Sequence, residues 1–414
     1  MPEVAPFRAL RYDFDRFGGD LSGVLAPPYD VLDKSDKDAL LAKDEHNIVA
    51  VDLPHIPPKD EGPQQAYLDA QFNLESWTAQ GILIQEETPA VYAYNQTFEI
   101  DGKKHTRHQI IVAARLHEFS EGLILPHEET FGGPKADRFA LTKETRCNLS
   151  PIFSVYTDPE NDVGKALAAT TSGKPDAVAN FDGVQHEMWV VTDGQAVQGV
   201  VNALINKNFY IADGHHRYTT ALNYRQYLAD MHGSALPPSH PANFVMMVLA
   251  SMDDPGCVIQ GYNRVLSGTG ANLSALMEGW SEGIEAADDA SADMQLYDGA
   301  SKKKAGVRFT NRAILEDIAS DHAPAWRELD VAYLHRYLID TLSANANFKI
   351  DYAKSIELAC KMAEEKGGVA VLPKATPMEQ LRAVSEAGEL MPQKSTFFYP
   401  KLATGLTIHR LYEE

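Results

Sequence analysis

The chain has 414 residues, 44% hydrophobic and 23% charged, a globular composition that excludes disordered, collagenous and fibrous classes. That length predicts two or three domains, each able to build its own core. The formal charge of −21 repels a phosphate backbone, so DNA binding is disfavoured, whereas a small anion such as a nucleotide can still be held by local N–H groups. The three cysteines, Cys147, Cys257 and Cys360, are far apart and none forms a Cys-x-x-Cys, so a disulfide framework is not expected. The first residues lack a basic stretch followed by an apolar run, and no run of roughly 18 apolar residues occurs. A cytoplasmic protein without a membrane partner is the expectation.

Val24 to Val31 reads as an apolar strand broken by Pro27 and Pro28, which fix φ and remove donors, giving a rigid loop entry. Asp69 to Gly81 is predicted helical, with Phe72 and Trp77 as apolar bulk and Gly81 as the stop. Ala90 to Ile100 and His108 to Leu116 flank Asp101-Gly102, the signature of a hairpin. From about residue 117 strands alternate with helices. Ile152–Tyr156, Met188–Val191, Phe209–Ala212 and Phe244–Leu249 are predicted strands. Val163–Thr171, Ala196–Asn206 and Arg217–Met231 are predicted helices. Pro237 to Pro241 is a proline-rich connector. Beyond residue 256 helices are expected at Val331–Leu342, Ile356–Glu365 and Met378–Glu386, with strands at Val369–Leu372 and within Lys394–Lys401. No internal repeat is visible.

Asp213-Gly214-His215-His216-Arg217 follows a short strand and opens a helix. Such a turn binds phosphate, because the first-turn N–H groups point outward at the positive end of the helix dipole. Gly214 removes a Cβ from the approach, Arg217 can fork two oxygens, and the histidines add donors. The plainer alternative is a tight turn carrying two exposed histidines. Pro126-His127-Glu128-Glu129 is no zinc-protease motif, since Phe131 stands where a second histidine is needed. Glu128 is either a loop general base or part of an exposed acidic turn. Lys135-Ala136-Asp137-Arg138 with Arg146 and Asn148 suits phosphate and metal together, or is a surface ion pair. Lys394-Ser395-Thr396 lacks the glycines of a P-loop. Neither a Gly-x-Gly-x-x-Gly fingerprint nor a Gly-x-Ser-x-Gly elbow is present.

Ala26 to Val31, Pro126 to Thr130, Asn148 to Phe153, Tyr210 to Arg225 and Met391 to Leu402 together resemble a large bacterial family of unknown function. The Asp-Gly-His-His-Arg turn is similar to the nucleotide-binding turn of the ParB/sulfiredoxin fold, and free-serine kinases of that superfamily carry an acidic catalytic residue on an early loop. The resemblance implies that role for Glu128. Asn263 stands where the family usually has histidine, which implies an altered contact there.

The expected architecture is a mixed α/β protein. It has an N-terminal segment with a β-hairpin (1–116), a ParB/sulfiredoxin-like nucleotide-binding domain (117–255) and a C-terminal α/β domain (256–414). The expected function is transfer of a phosphoryl group from ATP or ADP to a small hydroxylated metabolite, with free serine as the specific candidate. Asp213, Gly214, His215, His216, Arg217 and Arg138 would hold the phosphates. Asp213 and Asp137 would hold Mg²⁺, which prefers hard oxygen ligands, and Glu128 would act as base with His127 as the next candidate. The alternative is a ParB-like nucleotide-binding regulator without turnover. A homo-oligomer is compatible with either.

Overall fold

The computed structural model describes residues 3–58, 60–128 and 134–412 and is a mixed α/β protein. It divides into two compact units. The first comprises Met1–Leu125, Thr130–Cys257 and Pro400–Glu414; the second gathers Pro126–Glu129 and Val258–Tyr399. The expected division at 116/117 falls inside a single sheet of the first unit, so residues 117–255 do not close a sheet of their own.

That sheet has nine strands. Its order is Ile124–Leu125, Phe209–Asp213, Ile152–Tyr156, Phe244–Ser251, Lys103–Arg115, Val91–Ile100, Val184–Val191 and Ala177–Phe181, with Val4–Ala5 paired to Lys103–Arg115. Two pairings are parallel, Phe209–Asp213 with Ile124–Leu125 and Phe244–Ser251 with Ile152–Tyr156. The central strands read as continuous apolar runs because both of their faces are covered. The hairpin turns through Asp101 at φ 50° and Gly102 at φ 72°, the positive pair that matches strand twist in a two-residue connection.

The two faces of the sheet differ in chemistry. On one, Ala93, Ile110, Val112, Tyr156, Ile211, Val245 and Leu249 pack against Ala196, Val200 and Leu204 of the helix Gly194–Leu204. The other carries buried polar groups. Arg107 donates to Gln96 Oε1 and, at 2.6 Å, to the Pro400 carbonyl, and its guanidinium lies 4.6 Å from the Phe153 ring centre. The Tyr94 hydroxyl shares a 2.6 Å hydrogen bond with His186 Nδ1.

The predicted helix at 69–81 begins earlier, as Gln64–Ala79, and its buried stripe is Tyr67, Ala70, Leu74 and Trp77. Phe72 is out of phase with that stripe and is 68% exposed, so it adds nothing to the core. In the second unit six antiparallel strands run Ile284–Ala287, Lys304–Phe309, Met294–Asp298, Val369–Pro373, Asn263–Ser267 and Lys349–Ala353. Ala359 and Ala363 of the helix Ile356–Lys366 pack on Val265, Tyr297, Ala370 and Leu372. The predicted helix at 331–342 is π-helical over Tyr333–Leu342, a local widening uncommon outside functional or strained positions. Among the described residues no helix is long and apolar enough to cross a membrane.

Two buried histidines of the first unit make its stability depend on pH. Burial, helped by the Arg107 charge, pushes His186 down to about 3; burial pushes His409 down to about 4 although the Pro241 carbonyl opposes it. Both stay neutral in the folded chain while the unfolded chain binds protons near the ordinary value of about 6.5. Stability is therefore complete above about pH 6.5 and falls as pH drops toward 4, by up to about 1.4 kcal/mol per pH unit for each histidine. Urea unfolding at pH 7.5, 6, 5 and 4.5 should show that slope, and His186→Gln should make it shallower.

Candidate phosphate-binding turn

The strand Phe209–Asp213 ends with a register shift between Ile211 and Asp213 against Ile152–Tyr156. Gly214 follows at φ 96°, a conformation that L side chains rarely adopt, and the 18-residue helix His215–His232 begins at once. Gly214 at the N-cap position brings no side chain to the start of this helix, and the Tyr218 N–H closes its first turn on the Gly214 carbonyl at 3.0 Å. Tyr218, Ala221 and Tyr224 anchor the helix in the interior. The Tyr218 hydroxyl donates to the His117 carbonyl at 2.7 Å and accepts from the His117 N–H at 2.9 Å.

Lys401 Nζ meets Asp213 Oδ2 at 2.9 Å, and Arg217 Nη2 lies 3.8 Å from the same oxygen. Burial alone would raise this carboxyl, but Lys401 and Arg217 outweigh it and hold the group well below the usual carboxylate range. Arg217 does not point outward as its sequence position suggests. It donates to the Pro151 carbonyl, and its guanidinium atoms lie 3.1–3.2 Å from where a Cβ on Gly214 would stand. It braces the turn from inside. His215 and His216 are partly exposed at the start of the helix.

Beneath Arg217 is a cavity of about 40 Å³, lined by Tyr29, Asp52, Arg138, Asn148, Ser150 and Arg217 among others. Three stretches that stand out in the sequence thus meet there: the Pro-Pro-Tyr-Asp loop, Asn148–Pro151 and the Gly214 turn. Arg138 donates to the Asp52 carbonyl at 2.6 Å and to Asp137 Oδ2 at 2.8 Å, and lies 4.0 Å from the Tyr29 ring centre. Asp137 is fully buried and accepts the Tyr67 hydroxyl at 2.7 Å. Burial raises the Asp52 carboxyl against the pull of Arg138, and pushes the Tyr29 phenol up to about 12 against the same charge. Arg138 and Asp137 therefore form a buried, hydrogen-bonded pair. Neither is placed on the surface.

This donor set does not suit a protein-built Mg²⁺ site. Asp213 and Asp137 each face a cationic side chain, and among the described residues no group of three or more His, Cys, Asp or Glu side chains could hold a metal ion. Lys401 and Asp52 have no local sequence signal; only folding reveals them as partners of the turn and of the cavity.

His127 and Glu128 belong to the second unit, where they meet the Lys394–Thr396 segment. His127 is fully buried, with Nε2 2.8 Å from Thr396 Oγ1, and its carbonyl accepts the Met391 N–H at 2.8 Å. Glu128 Oε1 accepts the N–H of Lys394 at 2.8 Å, a residue held at φ 59°. Glu129 lies outside the described residues. Asn263 is buried in a sheet strand, its amide 3.4 Å from the Ala353 carbonyl.

Removing one member of a buried ion pair strands the other charge. Asp137→Ala should cost about 3–5 kcal/mol in urea unfolding, with Arg138 left to the Asp52 carboxylate alone. A loss below about 1 kcal/mol would mean that Arg138 and Asp137 are only a weak surface pair.

The profile of a family described as "Protein of unknown function (DUF1015)" matches residues 4–332. No curated protein matches this chain. Among solved structures, a mutant free serine kinase in complex with ADP is similar at 11% identity and TM-score 0.34, over 73% of this chain and 94% of that one. A conserved hypothetical protein from Pyrococcus furiosus is similar at 14% identity and TM-score 0.31, over 72% of this chain and 95% of that one. SbnI with a C-terminal truncation, from Staphylococcus aureus, is similar at 10% identity and TM-score 0.37, over 72% of this chain and 87% of that one. Likenesses this weak establish neither a shared fold nor a shared activity.

Proposed function

This chain belongs to the DUF1015 family, and on that footing we propose that it binds a nucleotide at the Gly214 turn and transfers a phosphoryl group to a small hydroxylated metabolite, free serine being the acceptor to try first. The observation that carries the reading is the glycine-initiated start of an 18-residue helix with the Lys401 ammonium paired to Asp213 just before it. Backbone N–H groups and the helix dipole, equivalent to roughly half a positive charge, favour phosphate at such a terminus. Lys401 adds a full charge, and Asp213 orients it. Arg217 acts as a positioning residue, fixing Gly214 and Asp213 through its contacts with Pro151 and the carboxylate. His215 and His216 add donors. Arg138 is held by Asp52 and Asp137 in the cavity and is not assigned to the nucleotide.

In the proposed transfer the acceptor hydroxyl oxygen forms a bond to the terminal phosphorus, and the bond from phosphorus to the leaving nucleotide oxygen breaks. The hydroxyl proton passes to a carboxylate; the resemblance of the Pro126-His127-Glu128 loop to the acidic loop of free-serine kinases makes Glu128 the candidate. Positioning and charge neutralisation supply most of such catalysis. No step is assigned to a protein-held metal, because the carboxylates available are paired with cations.

Calorimetric titration with ATP and ADP tests the binding half. Lys401→Met should weaken the nucleotide that the wild type binds by roughly 1.5–3 kcal/mol, the worth of a charge-assisted contact. Arg217→Ala should weaken it and also lower the unfolding midpoint, because the turn loses its brace. Unchanged affinity in both variants would remove the turn from the site.

Turnover with a panel of small alcohols, serine included, tests the chemistry. Glu128→Gln keeps an oxygen for the Lys394 N–H but removes basicity, so kcat should fall about 10²–10⁴-fold while nucleotide affinity barely moves. Full activity in this variant would eliminate Glu128 as the base. Nucleotide binding with no turnover of any alcohol would favour a regulatory protein.

A further inference from the structure

A cavity on the apolar face of the nine-stranded sheet takes no part in that chemistry. It has a volume of about 450 Å³ and lies between the sheet and the short helix Asp162–Leu167. That volume is within the range of small-molecule sites, roughly 300–1,000 Å³. Its apolar wall is Ala93, Val163, Leu167 and Leu249, with the Tyr156 ring beside them. Its polar wall includes Asn95, Ser251, His108 and three carboxylates, Asp158, Asp253 and Asp254.

The three carboxylates are not equivalent. Asp158 is matched by Lys207, whose Nζ stands 2.7 Å from Oδ1, while Oδ2 caps the short helix by accepting the Val163 N–H at 3.1 Å. Asp254 accepts the His108 N–H at 2.8 Å and the Gly256 N–H at 2.7 Å, and its Oδ2 is 3.1 Å from His108 Nδ1. Asp253 accepts the Asp158 N–H at 2.7 Å through Oδ2, and among the described residues no cationic side chain pairs with it. The Asp-Asp-Pro-Gly turn is held tightly in place: a Cβ on Gly256 would meet the Thr106 carbonyl oxygen at 2.1 Å. The carboxylate of Asp253 is therefore fixed at the exposed rim of a cavity whose inner wall is partly hydrocarbon. The field is negative enough to help burial raise the Tyr156 phenol above its ordinary range.

We propose that this cavity is a binding site for a small organic ammonium ion, its charged head at Asp253 and its apolar body against Val163, Leu167 and Leu249. A cation suits the unmatched charge, and an apolar body suits the wall; a carboxylate or phosphate would be repelled by all three aspartates. The site is independent of the phosphate turn and stands whether or not the chain is a kinase.

Calorimetry with phenethylamine, isoamylamine and agmatine on the intact protein tests the idea, against 2-phenylethanol and phenylacetate as neutral and anionic matches of the first. At least one amine should bind and raise the unfolding midpoint, at least tenfold more tightly than its neutral match, with the anion not binding. Asp253→Asn keeps an acceptor for the Asp158 N–H and should weaken that amine at least tenfold, whereas Asp253→Glu should retain binding. Equal affinity for phenethylamine and 2-phenylethanol would overturn the proposal, as would an Asp253→Asn variant that binds like the wild type. Failure of every amine to bind the folded wild type would overturn it too.

Discussion

Much of the first unit hangs on the pairing of Asp213 with Lys401, two residues 188 positions apart. The carboxylate stands where a strand ends and a helix begins; the ammonium stands on the segment that closes the chain over the polar face of the sheet. That segment is held along its length by groups that would be expensive to bury alone. Arg107 and Gln96 donate to the carbonyls of Pro400 and Lys401, and the Ala403 N–H reaches the Tyr94 hydroxyl at 3.4 Å. The sheet tolerates these buried polar side chains because the returning backbone supplies their partners.

A second consequence concerns Arg217. An arginine at the third position of a helix usually reaches solvent. Here Asp213 on the preceding strand and the Pro151 carbonyl draw it back under the turn, where Asp52 and Tyr29 also feel its charge. Arg138 lies in the same interior, engaged by Asp52 and Asp137. Two guanidiniums and three carboxylates thus occupy ground that an apolar core could fill. Such clusters rarely add much net stability, but they penalise alternative packings that leave a charge unpaired. The cluster fixes the backbone of the turn.

The same sheet serves two chemistries because its faces are covered differently. One face meets helices through aliphatic side chains and leaves a cavity where the short Asp162–Leu167 helix is too small to fill the space. The other meets an extended segment whose carbonyls satisfy arginine and glutamine. Cationic groups gather around the Gly214 turn on one side of this accounting, and unmatched negative charge remains at Asp253 on the other. Opposite local charge at the two places follows from that separation.

The sequence by itself determined the local features. The Asp101-Gly102 hairpin, the apolar run at 244–249, the strand–glycine–helix order around Gly214 and the mixed α/β class are all written in short-range patterns of period, turn residue and glycine. Strand positions between 258 and 310 were harder to read, because short antiparallel strands mixed with charges and glycines carry little periodic signal. The phase of the 64–79 helix was misjudged at Phe72, since one aromatic residue does not define a buried stripe. What only the tertiary structure decided is which charges meet. Lys401 on Asp213, Asp52 beside Arg138, the inward turn of Arg217 and the Lys394 N–H on Glu128 join residues tens to hundreds of positions apart. Electrostatic partners are chosen by distance in space, and a linear pattern of residue types records no such distance.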